Sequence, residues 1–456
     1  MKAENIRDVI LEILVRVEEK NSYLNILVQY YLNNYSFKKE DRAFLQETTY
    51  GVTRFRKKLD WIIFQFLKIQ NKKLPFVIQN ILRMSVYQII FLDKVPDYAI
   101  VNEAVKLTKE RKHFKYSNLV NGVLRNIIRK FGNFDWPDIS KDPVEYISVV
   151  YSFPNWLIDR WIKRFGLELC EVICKTMNKK PNTSIRANSL KINMAELKKV
   201  LSEGDIIFKE GKYIPSEIIF LENLTDVASL KIFKDGLFSI QDESSALASR
   251  FLNPLPGQLI IDMCSGPGGK TTHMAQLMAN KGRIIALEKN PKRLQMVREE
   301  CKRLDIDIVE TKKGNAADYK EDYFEKADKV LADVPCTGTG VIRKKPDIKW
   351  KNINSKQIRI LNELQMNILN IASKYVKNGG ELLYSTCSME REENDLLIMD
   401  FLKHNKQYTV QDSSSFIKKY SVKKYSTEIK ESIQLLPGFS GDDIDGFYMV
   451  KLVKDN

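Results

Sequence analysis

No stretch of this chain is long and apolar enough to cross a bilayer, which excludes a membrane-spanning helix. Nor does it open on a signal peptide: Met1-Lys2-Ala3-Glu4-Asn5 leads into an amphipathic helix, so export is not expected. The sequence has no internal repeat and no low-complexity segment, which excludes a repeat array and a long disordered tract. Its six cysteines are scattered without metal-like spacing. That argues against a disulfide framework and for a reducing compartment, so a cytoplasmic protein is expected. Cys170 and Cys174 stand one helical turn apart, but no second pair completes a zinc site. They read as small buried apolar residues, and no metal is expected.

What is present describes a soluble globular chain. Of its 456 residues, 44% are hydrophobic and 29% charged, and the length calls for more than one core. A net charge of +15 fits a polyanionic partner, or simply a lysine-rich proteome.

Apolar residues recur at helical spacing through the first part of the chain. They are Ile6, Val9, Ile10, Ile13, Leu14 and Val17; then Val77, Ile78, Ile81, Leu82 and Val86; then Leu119, Val120, Val123, Leu124, Ile127 and Ile128. These stripes predict an all-helical domain over residues 1–135. The run Gly132-Asn133-Phe134-Asp135-Trp136-Pro137-Asp138, followed by Pro143, reads as a linker. Residues 145–236 read as a small α+β module. Within it, Pro154 suits the first turn of a helix running through Trp161 to Phe165, and Asn182 to Asn188 reads as a strand with a basic member.

From residue 237 to 456, strands and helices alternate. The candidate strands are Leu259 to Met263, Arg283 to Leu287, Ile306 to Val309, Val330 to Ala332, Leu382 to Ser385 and Tyr448 to Val453. Helical stretches separate them, notably Thr271 to Met278, Lys292 to Leu304 and Ser355 to Val376. This predicts an α/β, Rossmann-like domain on a mostly parallel, doubly wound sheet, with ligands at the carboxyl ends of its strands. The fold class expected for the whole chain is therefore multidomain.

The first of these strands runs into Asp262-Met263-Cys264-Ser265-Gly266-Pro267-Gly268-Gly269-Lys270. A glycine-rich turn between strand and helix brings backbone amides close to a ligand at a positive helix end. Gly269-Lys270-Thr271 matches the end of a nucleotide-phosphate loop, but that loop needs glycine where Cys264 stands. The glycines also lack the spacing of a dinucleotide site. S-adenosylmethionine is the better reading. Glu288, ending the second strand, would grip two ribose hydroxyls, or be merely a solvated charge. Asn315, in Gly314-Asn315-Ala316 after the third strand, can both accept and donate at the adenine edge. Asp262 would orient the loop or the cofactor's amino group.

Two further strand ends carry thiols: Cys336 in Asp333-Val334-Pro335-Cys336 and Cys387 in Ser385-Thr386-Cys387-Ser388. Alkylating carbon 5 of cytosine needs help, because that carbon is a poor nucleophile. A thiolate adding at carbon 6 makes the ring an enamine, and an acidic group such as Asp333 at a ring nitrogen eases the addition. Free cysteines are more often simply buried, but two beside Pro335 and Thr386, at strand ends next to a cofactor loop, favour chemistry.

At these motifs the chain resembles the RNA cytosine-5 methyltransferases, and most closely the RsmB (Sun) family that methylates a cytosine of small-subunit ribosomal RNA. The matching runs are Asp262 to Thr271, Asp333-Val334-Pro335-Cys336-Thr337-Gly338-Thr339-Gly340 and Tyr384-Ser385-Thr386-Cys387-Ser388. The resemblance implies a class I methyltransferase domain. It implies that Cys387 is the nucleophile and that Cys336 helps release product. It places the cofactor against Cys264, Ser265, Gly266, Pro267, Gly268, Gly269, Lys270, Glu288, Asn315 and Asp333. Family members often carry aspartate where Asn315 stands. DNA cytosine methylases use the Pro-Cys cysteine as nucleophile, so Cys387 favours RNA.

Val120-Asn121-Gly122-Val123-Leu124-Arg125 and the helices before it look like the family's NusB-like RNA-binding domain. Asn178 to Asn193 resembles its small module, and Gln241-Asp242-Glu243-Ser244-Ser245 is similar to a segment beside the cofactor site, with packing and capping the plainer reading. A small-subunit rRNA partner is implied, met at an unpaired or flipped-out cytosine because the target must reach a buried thiol. A monomer is expected. Arg343-Lys344-Lys345-Pro346-Asp347 would hold flanking phosphates or form a solvated loop. Trp350 and Phe447 would stack on bases, although core packing is the better reading. The alternatives are the same chemistry on tRNA, which the NusB-like domain argues against, and a non-catalytic RNA-binding assembly factor, which the intact cysteine pair argues against.

Overall fold

The computed structural model describes residues 5–67, 74–93, 95–222, 226–351, 353–441 and 444–456. The expected lead-in from Met1 to Glu4 lies outside them. The chain falls into two compact units, Met1–Lys179 with Ile342–Asn352, and Lys180–Val341 with Ile353–Asn456.

The first unit is helical. Its helices are Ile6–Glu19, Leu24–Asn34, Lys39–Arg54, Arg56–Gln65, Phe76–Phe91, Asp97–Glu110, Ser117–Arg129, Pro143–Val150, Asn155–Phe165 and Leu167–Met177. The three predicted stripes lie on the first, fifth and seventh of these and meet in one core, which buries Ile10, Ile13, Ile81, Val86, Val120 and Leu124. Local chemistry starts two of the helices: the Asn5 side chain accepts the Arg7 N–H, and Asp142 accepts the Glu145 N–H with Pro143 in the first turn. Cys170 and Cys174 are fully buried, as small apolar residues would be. The division at Lys179 cuts through the segment read as one module from 145 to 236.

Ile342 to Lys351 packs in this helical unit; in the basic run Arg343 is buried, Lys344 half-buried and Lys345 exposed. Arg343 is 3% exposed, and its carbonyl accepts from Arg54 Nη2 at 3.0 Å. Lys349 is 1% exposed; its Nζ donates to the carbonyls of Arg54 (3.2 Å) and Ser152 (3.1 Å) and to Asn178 Oδ1 (2.9 Å). Trp350 Nε1 donates to the Thr53 carbonyl at 2.6 Å. A buried cation needs oxygen acceptors, and for Lys349 two backbone carbonyls and a side-chain amide of the helical unit supply them. Arg343 and Lys349 are therefore not solvated.

The second unit holds two sheets. The smaller is antiparallel, in the order β2-β3-β1-β4, from β1 (Thr183–Ala187), β2 (Phe208–Glu210), β3 (Ile218–Leu221) and β4 (Phe238–Ile240). The larger is built from β5 (Leu259–Asp262), β6 (Arg283–Glu288), β7 (Val309–Lys313), β8 (Ala327–Asp333), β9 (Val376–Thr386), β10 (Tyr408–Val410), β11 (Ile433–Leu435) and β12 (Phe447–Lys454). Its order is β10-β12-β9-β8-β5-β6-β7, with β11 paired to β12. Strands β5 to β9 pair in parallel, and β12 joins antiparallel to β9.

Successive strand residues face opposite cores. Ile260, Leu331 and Leu383 pack on one face with Met274 and Val297, while Ile261, Val330 and Leu382 pack on the other with Leu369 and Ile398. Burial on both faces explains why these strands read as unbroken apolar runs. Parallel pairing brings the carboxyl ends of β5, β6, β7, β8 and β9 to one edge, where the predicted site residues lie.

One predicted strand is displaced. Ile306 to Val309 was the apolar candidate, but the third strand is Val309–Lys313. Ile306 instead closes the helix Pro291–Arg303: its N–H donates to the Cys301 carbonyl at 3.0 Å, and its side chain is buried. Strand β7 ends the sheet order, and its Glu310, Thr311, Lys312 and Lys313 are polar because that edge is partly exposed.

Candidate active site

The glycine loop is held against its neighbours by its own backbone. The N–H and the hydroxyl of Ser265 both donate to the Leu287 carbonyl, at 2.9 and 3.0 Å, which ties the loop to β6. A Cβ on Gly266 would stand 2.4 Å from Glu288 Oε2. Gly268 has a φ of +112° and would bring a Cβ to 3.3 Å from Val297 Cα. The turn's backbone thus requires Gly268, while at Gly266 the Glu288 and Arg293 side chains leave no room for a Cβ. Helix Gly269–Leu277 follows directly.

Beneath the loop, Asp262 is 1% exposed. Its Oδ2 accepts from the Thr271 hydroxyl at 2.7 Å and its Oδ1 from the Cys264 N–H at 3.3 Å. Burial, reinforced by the Asp333 charge, pushes its carboxyl up to about 7. Burial also pushes the Cys264 thiol up. Lys270 Nζ lies 2.7 Å from Asp333 Oδ2 and 5.1 Å from the centre of the Phe447 ring. Phe447 is in the core, as its plainer reading had it.

Glu288 ends β6, buried at 5% exposure. Its Oε1 accepts the Asn290 N–H at 2.8 Å, and its Oε2 is 3.5 Å from Arg293 Nη1. Asn290 caps the next helix by accepting from the N–H groups of Lys292 and Arg293, with Pro291 in the first turn. Asn315 follows β7 and uses its side chain on its own turn: Oδ1 accepts the Ala317 N–H at 3.3 Å, and Nδ2 donates to Asp318 Oδ1 at 3.1 Å. It is not bonded to another predicted residue there.

The thiols lie at the ends of the adjacent parallel strands β8 and β9, where Asp333 is in register with Ser385. The Ser385 hydroxyl donates to Asp333 Oδ1 at 2.8 Å. The two sulfurs, Cys336 Sγ and Cys387 Sγ, are 3.3 Å apart, and both cysteines are half-buried and free of disulfides. The hydrogen bond to Cys387, together with burial, pushes the Cys336 thiol well up. Two thiols, a carboxyl group and a glycine-rich turn thus share one edge of the sheet.

Comparison with known proteins places this geometry. A model of the NusB family matches residues 4–129, a ferredoxin-like domain of the RsmF/B methyltransferases matches 153–228, and 16S rRNA methyltransferase RsmB/F matches 249–453. The chain is 34% identical over 457 residues to the probable ribosomal RNA small subunit methyltransferase B of Bacillus subtilis (strain 168), covering 100% of both chains. It belongs to the ribosomal RNA small subunit methyltransferase B (RsmB) family.

Ribosomal RNA small subunit methyltransferase B of Proteus mirabilis, a further member, is 32% identical over 400 residues, covering 87% of this chain and 91% of its own. The solved structure of PH0851 superposes with a TM-score of 0.81 at 26% identity, covering 99% of both chains. A methyltransferase homolog from Pyrococcus horikoshii gives a TM-score of 0.59 at 29% identity, over 69% of this chain and 99% of that one.

Two buried charges of this family member escaped sequence reading. Arg186 on β1 looked like a basic strand residue, but it is 1% exposed. It donates to the Gly269 carbonyl and Gln276 Oε1, both at 2.9 Å, to Thr272 Oγ1 at 3.2 Å and to Gln241 Oε1. The small sheet thereby braces the start of the helix after the glycine loop. The sequence gives no signal for this, because Ser184 and Asn188 share its strand face and make that face look polar and exposed. Asp242 accepts from the N–H and hydroxyl of Ser244, so that aspartate caps the helix Glu243–Leu252. The second charge, Glu393, is 0% exposed.

Proposed function

We propose that the protein transfers a methyl group from S-adenosylmethionine to carbon 5 of a cytosine in small-subunit (16S) rRNA, through a covalent bond between Cys387 and the ring. The observation that carries this reading is the pair of sulfurs 3.3 Å apart at adjoining strand ends beside Asp333. Full-length relatives named as small-subunit rRNA methyltransferases support the choice of RNA.

The residues present fit the cofactor. Gly266 leaves clear the space beside Glu288 that a Cβ would fill. Glu288 offers acceptor oxygens at the end of the second parallel strand, where ribose hydroxyls are gripped. Cys264 to Lys270, Glu288, Asn315 and Asp333 would hold the cofactor. When bound, it supplies an electrophilic methyl group.

The chain's own residues handle the ring. Cys387, the cysteine of the run Ser385-Thr386-Cys387-Ser388, is the sulfur that adds at carbon 6 as its thiolate. Asp333, oriented by Ser385 and Lys270, eases the addition by hydrogen bonding at the ring nitrogen. Carbon 5, once methylated, gives its proton to the Cys336 thiolate, which stands beside Cys387; the freed electron pair restores the ring double bond and expels Cys387 as a thiolate. The target is an unpaired or flipped-out cytosine. By the same reading, the protein acts as a monomer in the cytoplasm.

The test is methyl transfer from labelled S-adenosylmethionine to rRNA from cells lacking the protein, followed by bisulfite sequencing. One cytosine should become resistant to conversion. Label incorporated with no newly protected cytosine, or no label at all, would overturn the proposal.

A further inference from the structure

Glu393 ends the charged run Glu390-Arg391-Glu392-Glu393. In the fold its exposure is 0%. Its carboxylate collects donors from both thiol loops. Thr337, next to Cys336, gives its N–H to Oε1 at 2.9 Å and its hydroxyl to Oε2. Ser388, next to Cys387, gives its hydroxyl to the same Oε2. The two hydroxyl oxygens are 3.0 Å apart. Gln365 closes the set, donating at 2.9 Å to both Glu393 Oε1 and the Pro335 carbonyl. The next residue, Asn394, holds the Cys387 loop from both sides: it accepts from the Thr386 hydroxyl at 2.6 Å and donates to the Ser388 carbonyl at 3.0 Å.

A buried carboxylate is costly unless its lone pairs are filled, and here the residues that fill them neighbour the two cysteines. One oxygen shared by Thr337 and Ser388 fixes how far apart their loops sit. We propose that Glu393 is a positioning residue that sets the separation of the Cys336 and Cys387 sulfurs. The use of that separation rests on the proposed function: one sulfur must reach carbon 6 and the other the proton on carbon 5 of the same ring. A shift of about 1 Å at such a site can cost on the order of a hundredfold in rate.

The test reads the separation directly, without RNA. Diamide takes up two protons and two electrons as the Cys336 and Cys387 thiols join, and the linked peptides are quantified by mass spectrometry. The full-length wild-type protein should cross-link readily. Glu393→Ala, which removes the shared acceptor, should slow the reaction about tenfold or more per folded molecule. Glu393→Gln, whose amide oxygen still accepts hydrogen bonds, should restore most of the rate. If the alanine variant does not fold, Glu393→Asp, one methylene shorter, replaces it with the same expected slowing. Loss of fold stability alone would lower the melting temperature and leave the rate per folded molecule unchanged.

An unchanged cross-linking rate in the folded variant overturns the inference, even if the wild type methylates cytosine. Slowed cross-linking sustains it, even if the methyl acceptor proves to be another atom. A wild-type protein that does not cross-link contradicts the sulfur separation on which the inference stands.

Discussion

Asp262 lies under the glycine loop, and burial pushes its carboxyl up to about 7, against roughly 3.9 in an unfolded chain. The folded state therefore holds that proton more tightly. The stability it contributes is fully present below about pH 4 and is lost as pH rises toward about 7. Asp262→Asn lacks this titration. The melting temperature of the wild type minus that of the variant should fall between pH 4.5 and 7 and level off above. A difference that is flat or rising over that range would contradict the assignment. Residues of this kind were legible where a motif framed them: Asp262, Glu288, Asp333 and both thiols stand where the strand ends were expected to put them. Glu393 and Arg186 were not. Their charges look solvent-bound until the distant acceptors and donors that bury them are in place.

Among elements, the buried parallel strands were the easiest to read, because burial on both faces leaves an unbroken apolar run. The edge strand β7 was misplaced because its residues are polar and because Ile306, the apolar lure, anchors a helix end. The short turn Thr339–Val341 was not foreseen at all. There the Gly340 N–H donates to the Cys387 carbonyl, and the Gly340 carbonyl accepts from Gly446, both at 2.9 Å. A Cβ on Gly340 would fall 2.1 Å from the Gly446 carbonyl oxygen, so three segments meet with no room for a side chain. Backbone cannot step aside as a flexible side chain can. Gly340→Ala should cost about 1–3 kcal/mol in denaturant unfolding, the usual range for overpacking. An unshifted midpoint would refute the close approach.

For the molecule as a whole, the alternation of apolar periods distinguished a helical part from an α/β part. The detour of Ile342–Asn352 into the helical unit was invisible, because Lys349 finds its partners on the carbonyls of Arg54 and Ser152, which no pattern reveals. The charge of +15 fits a polyanionic substrate without naming one. Membership of the RsmB family names the class of reaction, and the sulfur pair supplies its proposed chemistry. The most direct test is a denaturing gel of the full-length protein with rRNA and S-adenosylmethionine, run for two single variants. Cys336→Ser should accumulate a covalent protein–RNA adduct, because the ring is attacked but not released. Cys387→Ser should form no adduct and transfer no methyl group. A Cys336→Ser protein without adduct, alongside an active Cys387→Ser protein, would contradict the account.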